Sequence, residues 1–275
     1  MDAGVAAAVL AAALLHATWQ ALVKSSGDGV VALAGMNVVS GVAALAALPF
    51  VPTPTPAAWP VIAISVLLHS GYKIALAELY ARSDLSVGYP LARGLTPIFA
   101  MLLAFLFLGE VPRAATVVGV FAICLGIAML VVRSVSAASL AAAIAVGLCV
   151  ATYSALDAYG VRINGDWLGF TVWLVLVDCA VFITYAFGVR RNAILQWRAA
   201  WGRTLVSGVL GIASFTVFLW ALAKAQVGAV AALRETSIVF SALLGGAVLR
   251  ERITRTRATS IVLVALGCAA IALFR

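Results

Sequence analysis

The chain has 275 residues, of which 65% are hydrophobic and only 10% are charged. A soluble domain of ordinary composition has about 25% charged residues, so this composition excludes a soluble globular protein. The net charge of +8 is high enough for a nucleic-acid-binding protein, but the sequence contains no basic domain that would hold nucleic acid, and we expect no such partner.

Apolar runs long enough to cross a bilayer recur along the whole chain. About 20 apolar residues span the hydrocarbon, and backbone polar groups there find no water, so each run is predicted to be a helix. The first run lacks the basic start of a signal peptide, and we expect it to be retained. The connections are short, which predicts an all-α integral membrane protein. The ten predicted transmembrane helices are 3–23, 30–49, 58–80, 85–108, 114–132, 138–160, 167–189, 204–223, 227–249 and 258–274.

Basic residues are distributed unevenly between the two sides of the predicted helices. The connections after helices one, three, five, seven and nine hold eleven Lys and Arg residues, whereas the opposite side holds four. Cytoplasmic loops carry the excess of Lys and Arg in membrane proteins. We therefore expect the odd-numbered connections to be cytoplasmic and both termini to lie outside.

The two halves of the chain are similar to each other. Residues 17–22 in helix one match residues 151–156 in helix six at four positions, and a fifth position is aromatic in both. Residues 93–110 align without gaps to residues 234–251. Identical pairs in this second alignment are Arg93/Arg234, Phe99/Phe240, Leu102/Leu243, Leu103/Leu244, Leu108/Leu249 and Glu110/Glu251.

The paired Arg and Glu residues predict a duplication. Matched Leu and Ala are common in any two apolar helices, whereas charged residues at equal spacing in corresponding helices are not. The predicted repeats are 1–135 and 136–275. Each has five helices, and an odd number of helices inserts the two copies in opposite orientations, which predicts an inverted 5+5 repeat with a central site.

This pattern resembles the EamA branch of the drug/metabolite transporter superfamily. The resemblance rests on the five-plus-five hydrophobic helices, an aromatic residue in the middle of helices one and six, and Glu110 and Glu251 closing helices four and nine. It covers essentially the whole chain. It implies a secondary transporter that works by alternating access, with a cavity between the halves. The family's usual orientation has cytoplasmic termini, opposite to the one that the basic residues predict here.

Charged residues inside the predicted helices are the candidate functional residues, because an ionisable side chain at the bilayer centre costs about 2.5–3.5 kcal/mol on insertion scales. Arg93 and Arg234 occupy the same repeat position, so an inverted two-fold would place them on opposite walls of one cavity. A guanidinium binds carboxylate or phosphate through two parallel hydrogen bonds. The triose-phosphate translocators, distant members of the superfamily, similarly hold phosphate with basic residues on their fourth and ninth helices. We expect an anionic or zwitterionic substrate, unless each Arg only pairs with a nearby acid.

Helices one, three and six supply the other candidates. His69, Tyr72 and Lys73 share one face of helix three. Lys73 is expected to bind substrate or to take part in proton coupling, unless it forms a salt bridge with Glu78 or Asp157, and His69 is expected to be a hydrogen-bonded interior residue. Aromatic residues suit the wall of a solute cavity or the packed core. The predicted substrate-binding set is Arg93, Arg234, Lys73, Trp19, Tyr153, Asp157, His16, Tyr72 and Glu235.

Neither a cofactor nor a metal is expected. The four cysteines lie far apart in apolar runs, without metal-binding spacing, and are interpreted as small buried hydrophobes. No P-loop motif for ATP occurs, so a solute or proton gradient would supply the energy. Glu110 and Glu251 are expected to anchor helix ends by ion pairing. The small faces of helices five and ten, at Gly119, Gly126 and Gly267, suit close helix packing or a homodimer contact.

The sequence thus predicts a secondary transporter in a bacterial-type inner membrane. Its substrate would be a small anionic or zwitterionic metabolite of the amino acid, organic phosphate or phosphonate class. Two alternatives stay open at this point. A non-transporting scaffold or accessory subunit would lack a solvated central cavity. An intramembrane enzyme would need converging catalytic groups, for example a pairing of Asp157 with Asp178.

Overall fold

A computed structural model describes residues 1–24, 28–82, 88–130, 137–189, 201–240 and 255–273. Each predicted helix has a counterpart in these ranges. A single 3₁₀ turn, Leu48–Phe50, extends the second helix. The helices are α1 (Ala3–Lys24), α2 (Gly29–Ala47), α3 (Ala58–Arg82), α4 (Gly88–Leu108), α5 (Ala114–Leu130), α6 (Ala137–Asn164), α7 (Trp167–Val189), α8 (Trp201–Lys224), α9 (Val227–Glu235) and α10 (Arg255–Leu273).

Most of these helices have the length and composition of membrane spans. Within the described ranges, six apolar helical segments are long enough to cross a bilayer, and large hydrophobic side chains such as Phe107, Phe121 and Leu266 are exposed on the shorter ones. Exposed apolar residues in such numbers fit a surface that faces lipid. The six segments are Ala3–Val23, Gly29–Phe50, Ala58–Ala75, Ile144–Asn164, Trp167–Val189 and Trp201–Lys224, and the shorter apolar helices are Gly94–Leu108, Ala114–Met129 and Ala258–Leu273.

Tertiary contacts divide the chain into two compact units, each of which contains helices from both predicted repeats. Unit 1 contains α4, α5, α9 and α10, together with the first part of α1 and of α6. Unit 2 contains α2, α3, α7 and α8, together with the ends of α1 and α6. The repeats 1–135 and 136–275 stay a prediction, because the units describe which helices contact one another and not which parts of the sequence are duplicated. Unit 1 comprises Met1–Ala17, Asp84–Ala155 and Lys224–Arg275, and unit 2 comprises Thr18–Ser83 and Leu156–Ala223.

The most extensive helix contacts join helices at corresponding positions of the two halves. In unit 1, α5 packs against α10 and α4 packs against α9; in unit 2, α2 packs against α7. Helices that lie along a two-fold axis contact their own symmetry mates, so this pairing is the one expected of an inverted repeat. It is consistent with the predicted duplication.

Small residues bring α5 and α10 together in unit 1. A Cβ atom added to Gly119 would lie 2.7 Å from the carbonyl oxygen of Gly267, and one added to Gly126 would lie 2.9 Å from the carbonyl oxygen of Ser260. The Ser260 hydroxyl donates a 2.6 Å hydrogen bond to the Gly126 carbonyl. The glycine faces are therefore used for packing within the chain, and the surface considered for a homodimer is already covered.

Unit 2 has a core in which α2 and α7 approach closely. A Cβ atom added to Gly41 would lie 2.3 Å from the Cys179 sulfur. Farther along the same pair, Leu33 and Phe182 are buried together with Trp19 from α1. Because these helices fit so tightly, the few polar side chains between them must find partners inside the unit.

Candidate functional site

A stripe of polar side chains runs along the buried face of α3 in unit 2. Ser65, His69 and Lys73 follow one another at intervals of four residues, and Ser70 lies beside them. Residues four apart in a helix lie on the same face, one turn above another. Ser65, His69 and Ser70 are buried, so α3 presents hydroxyl, imidazole and ammonium groups to the interior of the unit.

Lys73 pairs with Asp178, near the middle of α7. The ammonium of Lys73 forms an ion pair with the Asp178 carboxylate and donates a 2.8 Å hydrogen bond to the Asn37 side-chain oxygen on α2. The Ser70 hydroxyl donates to the other Asp178 oxygen at 3.2 Å. The Lys73 nitrogen also lies 5.1 Å from the centre of the Phe182 ring, within cation–π range. A salt bridge with Glu78 or Asp157 was one expectation for Lys73, and the salt bridge found is with Asp178, which was neither of the two.

Asp157, on α6, has a different set of partners. Its side chain is 0% exposed. The Ser65 hydroxyl donates a short hydrogen bond to one carboxylate oxygen, and the His69 Nε2 atom lies 2.9 Å from the other. The Phe215 ring of α8 meets the His69 imidazole edge to face, with centroids 5.4 Å apart. The prediction of a hydrogen-bonded interior histidine at position 69 is confirmed.

The two aspartates of unit 2 thus belong to separate clusters. Asp157 is held by Ser65 and His69, and Asp178 by Ser70 and Lys73. Helix α3 supplies two residues to each cluster. Asp157 and Asp178, the example of a pair that an intramembrane enzyme could use, are therefore not paired with each other, because each carboxylate is engaged by its own donors.

Unit 1 contains a helix that is interrupted at a pair of charged residues. Helix α9 ends at Glu235, and a turn at Thr236 separates it from residues 237–240, which are helical again. The Thr236 hydroxyl donates to the Leu233 carbonyl at 2.6 Å. Glu235 is 1% exposed, and Thr236 and Ser237 are buried, while Arg234 is half-buried. Thr236 keeps right-handed helical dihedrals, with φ of −59° and ψ of −16°, and the Phe240 amide bonds its carbonyl at 3.0 Å, so the interruption is one tightened turn of the 3₁₀ kind.

The beginning of α9 is fixed by the end of α4. Gly109, with φ of +66°, adopts the left-handed conformation that commonly ends a helix and lets the chain turn so that the Glu110 amide bonds the Ala104 carbonyl at 3.1 Å. The Glu110 carboxylate then accepts a 2.8 Å hydrogen bond from the Val227 amide at the first residue of α9. Glu110 therefore anchors a helix end, as predicted, but the contact that does so is a hydrogen bond with a backbone amide of another helix, whereas ion pairing was predicted. Glu251 lies outside the described residues.

The structure divides the remaining predicted site residues between the two units. His16 and Tyr153 are buried in unit 1, and Trp19 is buried in unit 2. Tyr72 is half-buried, also in unit 2. Arg93 lies on helical backbone in α4, but its side chain lies outside the described residues, as do those of Glu78 and Tyr80.

Sequence reasoning missed three members of the polar clusters. Ser65 and Ser70 were not singled out, although their spacing from His69 and Lys73 on α3 was visible in the sequence. Asn37 stands alone in a helix that is otherwise apolar and small-residue-rich, which was a usable signal. All four cysteines are free, and only Cys124 is fully buried.

Comparisons with known proteins agree with this architecture. The model of the EamA-like transporter family matches residues 3–132 and again residues 137–273. The chain belongs to the EamA-like transporter family. The family lies within the drug/metabolite transporter superfamily, so this member is a multi-pass membrane protein of a transporter family and not of an enzyme family.

The fold of this EamA-like chain is also found in a solved structure. A crystal structure 19% identical in sequence aligns over 99% of this chain and 98% of that chain, with a TM-score of 0.75. At this level of identity the likeness shows the fold alone. A search of the curated proteins finds no matching sequence.

Proposed function

We propose that this chain is a secondary transporter that moves a small anionic or zwitterionic metabolite across a bacterial-type inner membrane by alternating access. The substrate class is that of amino acids, organic phosphates or phosphonates. The observation that carries the proposal is the adjacent pair of charged residues, Arg234 and Glu235, at the tightened turn where α9 ends, within a buried segment. Membership of a transporter family supports the transport activity.

The chemistry of the interruption favours a substrate with charged groups. Adjacent residues leave a helix about 100° apart, since one turn takes 3.6 residues. The guanidinium of Arg234 and the carboxylate of Glu235 therefore point in different directions from neighbouring positions on the helix. Two charged groups placed in this way can bind two different groups of one molecule. A guanidinium suits a carboxylate or phosphonate, and a carboxylate suits an ammonium group. Within the proposed class, this pair favours a zwitterion.

The neighbouring helix supports a second anion-binding group. Arg93 corresponds to Arg234 in the predicted duplication, and α4, which carries Arg93, packs against α9. Helix α4 also contains Pro97, which removes a backbone hydrogen bond close to Arg93. Both helices thus have irregular backbone hydrogen bonding next to the paired arginines. We assign Arg93 the same anion-binding role.

The proposal is tested by ligand binding and uptake with the full chain. A thermal-shift screen of the detergent-purified protein against amino acids, organic phosphates, phosphonates and carboxylates should give a hit, because a ligand at 100 times its Kd stabilises by about 2.7 kcal/mol. Arg234→Ala should lower uptake of that ligand into liposomes about tenfold or more, since a charge-assisted hydrogen bond contributes about 1.5–3 kcal/mol.

A matched variant separates binding from general damage. Arg203, at the start of α8, is an exposed arginine, so Arg203→Ala makes the same change away from the interrupted helix and should retain uptake. Equal loss in both variants would contradict an anion-binding role for Arg234. A folded protein that no compound of these classes stabilises would instead favour a non-transporting scaffold.

A further inference from the structure

The two polar clusters of unit 2 differ in how their charge is balanced. Asp178 is paired with the ammonium of Lys73, and one carboxylate with one ammonium gives that cluster zero net charge. Asp157 is fully buried, and its side-chain partners among the described residues are the Ser65 hydroxyl and the His69 ring. Its cluster is neutral only when it holds one additional proton.

This difference matters because a net charge inside a membrane protein is costly. With Asp157 ionised and His69 neutral, the buried cluster has a charge of −1. Adding one proton gives either an imidazolium–carboxylate pair or a neutral imidazole beside a carboxylic acid, and both have zero net charge. The stability of unit 2 therefore depends on whether the His69–Asp157 pair holds this one proton.

We propose that His69 and Asp157 form a proton-binding site through which this transporter couples substrate movement to a proton gradient. The coupling rests on the proposed function. The pair takes up one proton when it is accessible from one side of the membrane. It then has no net charge while the protein changes conformation, and it releases the proton on the other side. Ser65 positions the carboxylate by donating to the oxygen that His69 does not contact.

A proton fits this site better than a metal cation. Hard cations take sets of six or more oxygen ligands, whereas Asp157 has one hydroxyl and one ring nitrogen beside it. The His69 Nε2 atom is 2.9 Å from the carboxylate oxygen, which is a hydrogen-bond distance. The imidazole thus occupies the place that a coordinated cation would need.

A site that binds one proton must also be described by the ionisable groups on the surrounding helices. Helix α2 has no ionisable residue between Gly29 and Ala47. The Arg162 guanidinium on α6 is directed to the Leu222 carbonyl, with hydrogen bonds of 3.2 and 3.0 Å. The other ionisable residues of these helices are Tyr72, Lys73, Glu78, Tyr80 and Arg82 on α3, Cys149, Tyr153 and Tyr159 on α6, Asp178, Cys179 and Tyr185 on α7, and Arg203 and Lys224 at the ends of α8.

The site can be tested with the proton alone as the ligand. The chain has two histidines, so His16→Gln leaves His69 as the single imidazole. In the full chain, labelled with ¹⁵N-histidine and held in lipid nanodiscs, the ring nitrogens should titrate in one step between about pH 5 and 8. Ring signals that stay constant across that range would overturn the proposal.

Two serine variants provide a matched comparison. Ser65→Ala removes the donor to Asp157 and should change the pH at which the His69 ring signals respond. Ser70→Ala removes the equivalent donor to Asp178 on the same helix and should leave that response unchanged. Asp157→Asn removes the charge that faces the ring and should change the response more than either serine variant. Equal shifts in the two serine variants would contradict the assignment.

Coupling is tested in proteoliposomes that contain the pH dye pyranine. Addition of a mixture of the standard amino acids should move protons, and His69→Gln should reduce that movement to the level of protein-free liposomes. Uptake of an amino acid without proton movement would overturn coupling. If no amino acid is bound or moved, the proposed function fails for that class, while the ¹⁵N titration still decides whether the proton site exists.

Discussion

At the scale of single residues, the buried charges of unit 2 are held by side chains from several helices. Lys73 reaches Asp178 on α7 and Asn37 on α2, while Asp157 on α6 is reached by Ser65 and His69 on α3. Taking a charge out of water costs several kcal/mol unless it is paired and hydrogen-bonded. These contacts offset that cost and also fix which faces of the four helices meet.

The Lys73–Asp178 pair gives a stability prediction. Asp178→Asn leaves the ammonium of Lys73 buried without its carboxylate, and such changes cost about 3–5 kcal/mol. We expect a clear fall in the midpoint of thermal unfolding in detergent. Ser70→Ala should cost only about 0.5–1.5 kcal/mol, since it removes one neutral donor. A combined Lys73→Met and Asp178→Leu variant should recover much of the loss. Persistent destabilisation in the combined variant would argue against the pair as its cause.

At the scale of helices, ends and contact faces are set by a few local devices. Gly109 ends α4, and Glu110 then caps the first residue of α9. Negative side chains at a helix start are stabilising, because the first amides lack partners within the helix. Small residues, in contrast, decide which helices can approach closely, as at Gly119 and Gly267 between α5 and α10.

Loss of the cap should be measurable at α9. Glu110→Ala removes the acceptor of the Val227 amide and should destabilise the protein by about 0.5–2 kcal/mol. Glu110→Gln keeps a side-chain oxygen and should cost less. Arg113, in the same connection, is exposed, so Arg113→Ala should have little effect on the unfolding midpoint. A larger effect of Arg113→Ala than of Glu110→Ala would favour an ion pair over the cap.

Close packing of α5 on α10 predicts intolerance to a larger residue. Gly119→Val adds atoms where a Cβ already lies 2.6 Å from the Ile271 side chain, and overpacking of this kind costs about 1–3 kcal/mol. Gly71→Ala on α3 is the control, because a Cβ there meets nothing within 4 Å and alanine is the better helix former. Its unfolding midpoint should be unchanged or higher, and an equal fall in both variants would contradict this account.

At the scale of the whole molecule, the helices that pack together are not the ones that follow one another in the sequence. Each unit combines helices from both halves of the chain, and α1 and α6 each supply residues to both units. The match of one family model to residues 3–132 and 137–273 agrees with a duplicated origin. Because helices from one half pack against the corresponding helices from the other, each unit is held together by contacts between the two halves of the chain.

Orientation in the membrane is the prediction at this scale. The excess of basic residues predicts that the connection after α2 faces the outside. In a variant without the four native cysteines, Thr53→Cys should react with a membrane-impermeant maleimide on intact cells, and Arg191→Cys should react only after the cells are opened. The opposite pattern would show the orientation usual for the family.

The sequence by itself determined the class, the helices and the family, because lipid leaves the backbone of a long apolar run no alternative to helix. It also identified Lys73 and Asp157 as candidates, since charges stand out in apolar helices. Only the tertiary structure decided the pairing: Lys73 with Asp178, Asp157 with His69, and the glycine face of α5 with α10. Periodicity shows which face of a helix is polar or small, but which remote helix meets that face depends on how all the helices pack together.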